Sequence, residues 1–596
     1  MIPIDYQPYF VIAVIFLIFF FIYKNLVKPS VSFLMAMMVF LVTGVLSYKE
    51  VLVGFSNDKI ATIVLLILIS SSLRKNYNIE LIFDRIFKQA KNYKSFLIRM
   101  MGQAAVVSSS INNAPVVALM TPYVVNWGKK NNIAPSKLLI PLSFSTIMGG
   151  MTTVIGTSTT LLLIGFLTEN NLDSIKPLDL LFLGLAVTIV GILFIILIGH
   201  RLLPNHTDVI EKFKKNTREY LVEINFKPDS PLVGKSITEA ELRNLRGVYL
   251  VEILRNGHVI SPVEPTEVIE QNDVLIFAGD TDNIVDLINS DKGLTFPKPD
   301  EENPDHGDIE VMECVISSNS SLIGKSVKAS QFRNRYDAAL IAIHRDGEKI
   351  SGQIGEIKLK SGDLLLLFAG ANFKERVDLY RDILIISSLR KIRNIGAKKY
   401  YALGTSALLV GLLAVFGQIS LFSAVLVIFS TFISFNMVTI QDIKRDLDLN
   451  LIAILVFSLA LGQAILKTNA GNILALGFIN LLEPFGIVAI LIGLMLITNL
   501  LTSIVGNAGA ISISFPLAVS LTQNLTITGQ PFFLAICFAA SATFLTPISY
   551  QTNLIIYGPG GYNFRDFFKI GLPMTILYLL VAVLGIVFLY KDALLP

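Results

Sequence analysis

SSSINNAPVVALMTP at 108–122 and TSIVGNAGAISISFP at 502–516 are too polar for helices that face lipid, yet each lies inside a long apolar tract. The first sets serines, two asparagines and two prolines in that tract, and the second sets Gly506, Asn507, Gly509 and several serines at the equivalent depth. Lipid offers no partner to a free N–H or C=O, so irregular backbone at membrane depth survives only where protein buries it or it lines a cavity. The helices should break at both places. Paired interruptions of this kind in two halves of a chain are the best sequence pointer to a transport site. A second pair of polar stretches, GTSTT at 156–160 and SYQTN at 549–553 preceded by Thr546 and Pro547, is expected to lie against the first.

The spacing repeats. Asn113 is followed by Pro122, Thr160 and Gly165, and Asn507 by Pro516, Asn553 and Gly558, so the offsets are 394, 394, 393 and 393. A single polar segment of this type is usually explained by hydroxyls bonding back to their own helix and prolines kinking it. Four segments with matched spacing outweigh that explanation, and two halves share one plan.

The composition agrees with a chain largely in lipid. Of 596 residues 53% are hydrophobic and only 16% charged, against roughly 25% charged in soluble domains. Apolar runs near 9–27, 30–48, 58–73, 96–126, 138–168 and 178–199 form one membrane half, 1–202. Runs near 401–418, 420–438, 450–466, 472–482, 486–515, 531–548 and 568–590 form a second, 386–596. Most approach the roughly 20 residues a spanning helix needs. The amino terminus, MIPIDYQPYF, lacks a basic n-region and a small-residue cleavage site and reads as a retained helix.

Between the halves the texture changes to short alternating strands such as GVYLVEIL and DVLIFAG, as in soluble α/β structure. This insert is itself duplicated. SPLVGKSITEAELRN at 230–244 answers SSLIGKSVKASQFRN at 320–334, and RNGHVI answers RDGEKI, at an offset of 90, which divides the insert into 203–295 and 296–385. Loop charges orient the chain. Arg74, Lys75, Arg85, Lys88, Lys91, Lys94 and Arg99 outnumber Glu80 and Asp84, and RKIRNIGAKK at 390–399 is purely basic, so both segments and the insert are expected in the cytoplasm. Lys24 and Lys28 then lie inside and the amino terminus outside.

The four polar stretches offer carbonyls, hydroxyls and amides and contain no carboxylate. Such oxygens suit a hard cation such as sodium, while half-helix amino ends attract an anion. A proton relay would want buried Asp, Glu or His. The formal charge of +4 is too small to indicate a nucleic acid polymer as partner. Cys314 and Cys537 are too far apart to form a CxxC site or a disulfide framework. GKS at 234–236 and 324–326 lacks the upstream glycine of a phosphate loop, which is Asp229 or Asn319 here, so nucleotide hydrolysis is not expected. His258 and His344 lack the spaced partners zinc requires and read as solvated polar residues. Trp127, followed by Lys129 and Lys130, fits an interfacial anchor. No feature supports an enzyme and no cofactor is implied beyond sodium as coupling ion.

NNAPVVALMTP, GTSTTLLLIG, NAGAISISFP and above all FLTPISYQTNLIIYGPGGYNFRDFFKIGLP resemble the divalent anion:sodium symporter family, in the branch associated with sulfate and related anions. The resemblance covers both membrane halves. It implies a polytopic α-helical membrane protein of two inverted-repeat halves, each with a re-entrant hairpin, assembled as a homodimer in the bacterial inner membrane and working by an elevator movement against a fixed scaffold. The hairpin tips of that family carry Ser-Asn-Thr or Asn-Asn-Thr, where this chain has Asn112, Asn113, Ala114 and Gly506, Asn507, Ala508. The matched positions imply sodium and substrate contacts at Asn113 and Asn507, with Gly156, Thr157, Ser158, Thr159, Thr160, Thr546, Pro547, Ser549, Thr552 and Asn553 completing the sites. Ala114, Thr160, Ser503 and Gly506 depart from the family pattern, which bears on substrate and on cation stoichiometry. The paired insert resembles the TrkA-C regulatory module, which implies either binding of a small-molecule ligand or a dimerisation role.

The leading expectation is sodium-coupled symport of sulfate or a similar small divalent anion. A C4-dicarboxylate is the alternative within the class, and a ligand-gated channel or membrane sensor the alternative of another class. Paired broken helices build an occluded site at mid-membrane instead of a continuous lined pore, which argues against the channel.

Overall fold

The computed structural model describes residues 2–76 apart from Asn25 and Lys28, 92–206, and 420–595 apart from Asn436 and Asp448. Between them it describes 221–226, 230–242, 248–255, 258–260, 263–279, 294–295, 311–317, 320–350, 354–370, 372–380 and 382–386. The expected span at 401–418, the basic segment at 390–399 and most of the cationic stretch between Arg74 and Arg99 lie outside these residues.

The first apolar part contains α1 (Gln7–Tyr23), α2 (Pro29–Val42), α3 (Tyr48–Ser56), α4 (Asp58–Asn76), α5 (Tyr93–Ser108), α6 (Asn113–Lys130), α7 (Leu139–Gly150), α8 (Ser158–Glu169) and α9 (Pro177–Phe194). Their ends follow local chemistry. Ser47 and Glu50 form a capping box that starts α3, and the Thr157 hydroxyl accepts the Thr160 N–H to start α8, each satisfying amides that a helix amino end leaves free. The apolar runs 96–126 and 138–168 are therefore each two helices, separated at 109–112 and at 151–157.

The interruptions sit where the polar stretches put them, but the prolines do not make them. Pro115 lies in the first turn of α6, where its missing N–H has no helical partner to lose, and Pro122 lies inside α6, which continues to Lys130. Pro516 is likewise internal to its helix. The breaks belong instead to 109–112 and to Gly506.

The insert contributes two five-stranded sheets. With β1 (Leu221–Phe226), β2 (Val248–Arg255), β3 (His258–Ile260), β4 (Val274–Gly279) and β5 (Leu294–Thr295), the first has the order β3-β2-β4-β1-β5. With β6 (Val311–Ile316), β7 (Ala338–Arg345), β8 (Glu348–Lys349), β9 (Leu364–Ala369) and β10 (Ile383–Ile385), the second has β10-β6-β9-β7-β8, the same order read from its other edge. The likeness reaches single residues. A bulge falls between Leu250 and Glu252 and between Leu340 and Ala342. Arg255 donates from Nε to Asp273 at 2.8 Å, and Arg345 to Asp363 at 2.7 Å. Short helices α10 (Phe332–Tyr336) and α11 (Phe373–Tyr380) belong to the second sheet's unit. Arg333 of α10 ties the two units together, donating to Val263 O at 2.7 Å and Leu250 O at 3.0 Å.

One expectation is corrected here. His344 is not solvated: β7 is buried along almost its whole length, leaving His344 7% exposed, because the strand is covered on both faces. The GKS repeats mark turns, with Gly234 and Gly324 at φ 83° and 82°. Burial pushes the Cys314 thiol well above its ordinary value, and the residue serves as packing.

The second apolar part contains α12 (Leu421–Ser434), α13 (Ile440–Asp446), α14 (Leu449–Lys467), α15 (Ala470–Leu482), α16 (Ile487–Leu525), α17 (Gln530–Ser541), α18 (Gln551–Tyr557) and α19 (Phe564–Leu589). Among the described residues, six helices are long and apolar enough to cross a membrane: Ile4–Ile22, Tyr48–Ile69, Pro177–Leu202, Leu449–Lys467, Ile487–Leu525 and Phe564–Leu589. One buried cluster joins both parts, with Phe144, Phe166, Phe515, Phe538 and Phe567 fully inside it.

Candidate functional site

The asparagines sit beside two chain reversals. Thr498 Oγ1 donates to Ser514 Oγ at 2.8 Å across 16 residues of α16, which a straight helix would hold about 24 Å apart. The chain therefore folds back between them, at Gly506, whose φ of 77° and ψ of 172° are not helical. Only glycine adopts that region without strain. The counterpart in the first part is the turn 109–112 between α5 and α6, where Asn112 has φ −52° and ψ 144°, open to any residue.

Each reversal orients its asparagine in the same way. Ser108 Oγ donates to Asn113 Oδ1 at 2.5 Å, and Thr502 Oγ1 donates to Asn507 Oδ1 at 2.9 Å. With the oxygen engaged, the amide nitrogen points across the molecule. Asn113 Nδ2 donates to Tyr550 OH at 3.2 Å, and Asn507 Nδ2 donates to Thr159 Oγ1 at 3.2 Å. The asparagine of each part thus reaches the polar stretch of the other.

The helices α7 and α17 back these stretches at equivalent points. Ser143 Oγ lies 2.9 Å from Thr552 Oγ1 and 2.7 Å from Asn553 Oδ1, and Cys537 Sγ lies 3.5 Å from Thr160 Oγ1. Thr157 and Thr160 hydroxyls are 3.0 Å apart. Asn553 Nδ2 donates to Thr543 O at 2.7 Å and Thr546 O at 3.2 Å, and Ser549 Oγ donates to the same two carbonyls at 3.1 Å and 2.8 Å. Pro547 opens the short turn Pro547–Ser549 that delivers Ser549. At the other end Gly156 N donates to Thr153 Oγ1 at 3.1 Å, and Thr153 Oγ1 donates to Ser109 O in the first reversal.

The structure therefore brings Asn113, Gly156, Thr157, Thr159, Thr160, Asn507, Thr546, Pro547, Ser549, Thr552 and Asn553 into two linked clusters. Asn112, Ala114, Ser158, Gly506 and Ala508 are half-buried and flank them. Three hydroxyls at the end of α17 and between it and α18, Ser541 Oγ, Thr543 Oγ1 and Thr546 Oγ1, are buried with no hydrogen-bond partner among the described residues. Buried hydroxyls are normally paired, so these are oxygens with capacity to spare beside the carbonyls of Thr543 and Thr546. Ser108, Ser143, Thr502, Cys537, Thr543 and Tyr550 were not among the expected site residues. Four of them carry a signal in the numbering, since Ser108 and Thr502, and Ser143 and Cys537, each lie 394 apart.

Comparison with known proteins shows the family. Residues 14–412 and 407–596 match the citrate transporter (CitMHS) family model. A Chlamydomonas reinhardtii protein named as a sulfur deprivation response regulator is 29% identical over 94% of this chain and 98% of its own. An uncharacterized transporter of Synechocystis sp. is 29% identical over 98% of both chains. Sodium/sulfate cotransporter 1 of Chlamydomonas reinhardtii is 26% identical over 57% of this chain and 41% of its own. The protein is a transporter and not an enzyme, and it belongs to the citrate transporter family.

Proposed function

We propose that this transporter couples sodium to the symport of sulfate or a similar small divalent anion. The observation that carries the reading is the crosswise pair of asparagines, Asn113 to Tyr550 and Asn507 to Thr159, set beside three buried hydroxyls without partners. In this reading the two reversals are re-entrant hairpins of inverted-repeat halves at 1–202 and 386–596. Hydroxyls and carbonyls around Thr157, Thr543, Thr546, Ser549 and Thr552 hold sodium. The N–H groups at the start of α6 face the anion, with the partial positive charge of a helix amino end. Sodium and dianion then neutralise one another where the dielectric is low, which makes binding of each depend on the other.

The rest follows the same line. The hairpins move with their bound ions against a scaffold by an elevator-type mechanism, the protein works as a homodimer in the bacterial inner membrane, and the two insert units, 203–295 and 296–385, are TrkA-C-like domains in the cytoplasm, open to a small-molecule ligand. The names of the sodium/sulfate cotransporters support the anion and the coupling ion. The family description, citrate transporter, favours a second reading with a small carboxylate such as a C4-dicarboxylate as substrate.

Uptake of radiolabelled sulfate into proteoliposomes, with and without an inward sodium gradient and with thiosulfate, succinate, malate and citrate as competitors, tests both readings. Sodium-driven uptake blocked by oxyanions supports the first; competition by carboxylates alone moves the substrate to the second. Asn113→Ala and Asn507→Ala should each lower sodium-driven uptake by roughly 10- to 100-fold, the effect of losing about 1.5–3 kcal/mol from a buried polar contact to an ion. Unchanged sodium dependence in both variants would remove the site assignment.

A further inference from the structure

Two helices that carry site residues in their first turn, α6 and α18, are held at their far ends by the second unit of the insert. α6 starts at Asn113 and ends at Lys130, and in its last turn Lys129 Nζ lies 3.4 Å from Glu313 Oε2 of β6. α18 carries Thr552 and Asn553 in its first turn and ends at Tyr557, whose OH donates to Asp346 Oδ1 at 2.6 Å, in the turn between β7 and β8. The backbone packs as closely. A Cβ on Gly347 would stand 2.7 Å from Gly561 O, and one on Gly558 would stand 2.9 Å from Gly362 O and 3.0 Å from Leu364 Cβ. Val315 and Leu364 of the insert are buried in the same cluster as Ile556, Tyr557 and Tyr562.

The two units differ at the decisive position. The second has Asp346 before Gly347, and the first has Asn256 before Gly257. Asp346 of the second unit gives Tyr557 a carboxylate, and α18 is a helix of 7 residues, too short to hold its own direction by internal hydrogen bonds. Its attitude must come from what packs on its ends.

We propose that the second insert unit positions the two site helices relative to one another, with Asp346 and Tyr557 as positioning residues for ion binding at Thr552 and Asn553. The effect on ion binding rests on the transport reading above; the docking itself does not. A displacement of the unit, by a ligand or by the neighbouring unit through Arg333, then shifts the far end of α18 and with it Thr552 and Asn553 in its first turn. Sodium affinity is the quantity this changes.

The test uses the full-length chain in lipid nanodiscs and proteoliposomes, as wild type, Asp346→Asn, Tyr557→Phe, the double variant, and Gly347→Ala, which drives a methyl group toward Gly561 O and, at φ 79°, strains the turn that carries Asp346. Hydrogen–deuterium exchange is expected to rise several-fold over residues 551–562 in every variant, with 108–122 unchanged. The sodium concentration for half-maximal uptake is expected to rise three- to tenfold while the maximal rate at saturating sodium is kept. In the double variant the shift should be no larger than that of the greater single, because both singles act on one contact, Asp346→Asn by removing its charge and Tyr557→Phe by removing its donor. Unchanged exchange over 551–562 in Asp346→Asn and Gly347→Ala, or additive shifts in sodium activation, would overturn the proposal. A wild type with no sodium-driven uptake, but with the exchange response, would overturn the transport reading and support the docking.

Discussion

The two halves reach the same side-chain geometry by different physics. In the first, Ala105 of α5 meets Gly149 of α7 so closely that a Cβ on Gly149 would stand 2.3 Å from Ala105 Cα. In the second, the position 394 residues on is Asn499, and its amide donates to Ala539 O at 3.1 Å and Ala542 O at 2.8 Å. Small residues let backbones touch in lipid, and a polar side chain can bridge them when they stand apart. The reversals contrast too. The first turns through four residues with ordinary angles, and the second turns at Gly506 alone. What stays the same is the hydroxyl that fixes each asparagine and the crosswise reach of its amide. The shared feature is the candidate site, and the supporting packing is free to differ.

The sharpest way to break this comparison is Gly149→Ala. The added methyl would overlap backbone, which cannot swing aside, so a cost of roughly 3 kcal/mol or more is expected, read as loss of the monodisperse peak on size-exclusion chromatography in detergent. Next comes the pair of reversals. Gly506→Ala places a side chain at φ 77° and ψ 172° and should cost about 1–3 kcal/mol, whereas Asn112→Gly, at a cap with no side-chain bond, should cost only about a few tenths. Thermal unfolding of the purified variants would separate the two, and equal shifts would show that the reversals are equivalent after all. The smallest effect expected in the packing contrast is that of Asn499→Ala. Polar bridges in membrane proteins contribute about 0.6–2 kcal/mol, so its unfolding temperature should fall by a few degrees while size-exclusion behaviour is kept.

The places where the helices reverse were legible beforehand because lipid punishes unpaired backbone. Polar residues at 108–122 and 502–516 had to mark breaks, and the offset of 394 marked them as equivalent. The prolines do not mark the breaks, since Pro115 lies in the first turn of its helix and Pro122 and Pro516 lie inside theirs. His344 misled because it lies near a turn in sequence, but a strand covered on both faces buries it. Ser143 and Cys537 were missed because a hydroxyl and a thiol do not look alike, although their numbers do. In the insert the duplication was plain, and conserved pairs such as Arg255 with Asp273 and Arg345 with Asp363 follow from it.

By itself the sequence determined the division into two apolar halves with a doubled insert, the places where helices break, and the oxygen-rich, carboxylate-free chemistry of the four polar stretches. Those are consequences of composition and local order. Tertiary structure alone decided that Asn113 answers Tyr550, 437 residues away, and that Asp346 of the insert holds Tyr557, 211 residues away. Periodicity and propensity act over a few residues. Which distant surfaces meet is settled only when the whole chain is packed and each buried polar group has to find its partner.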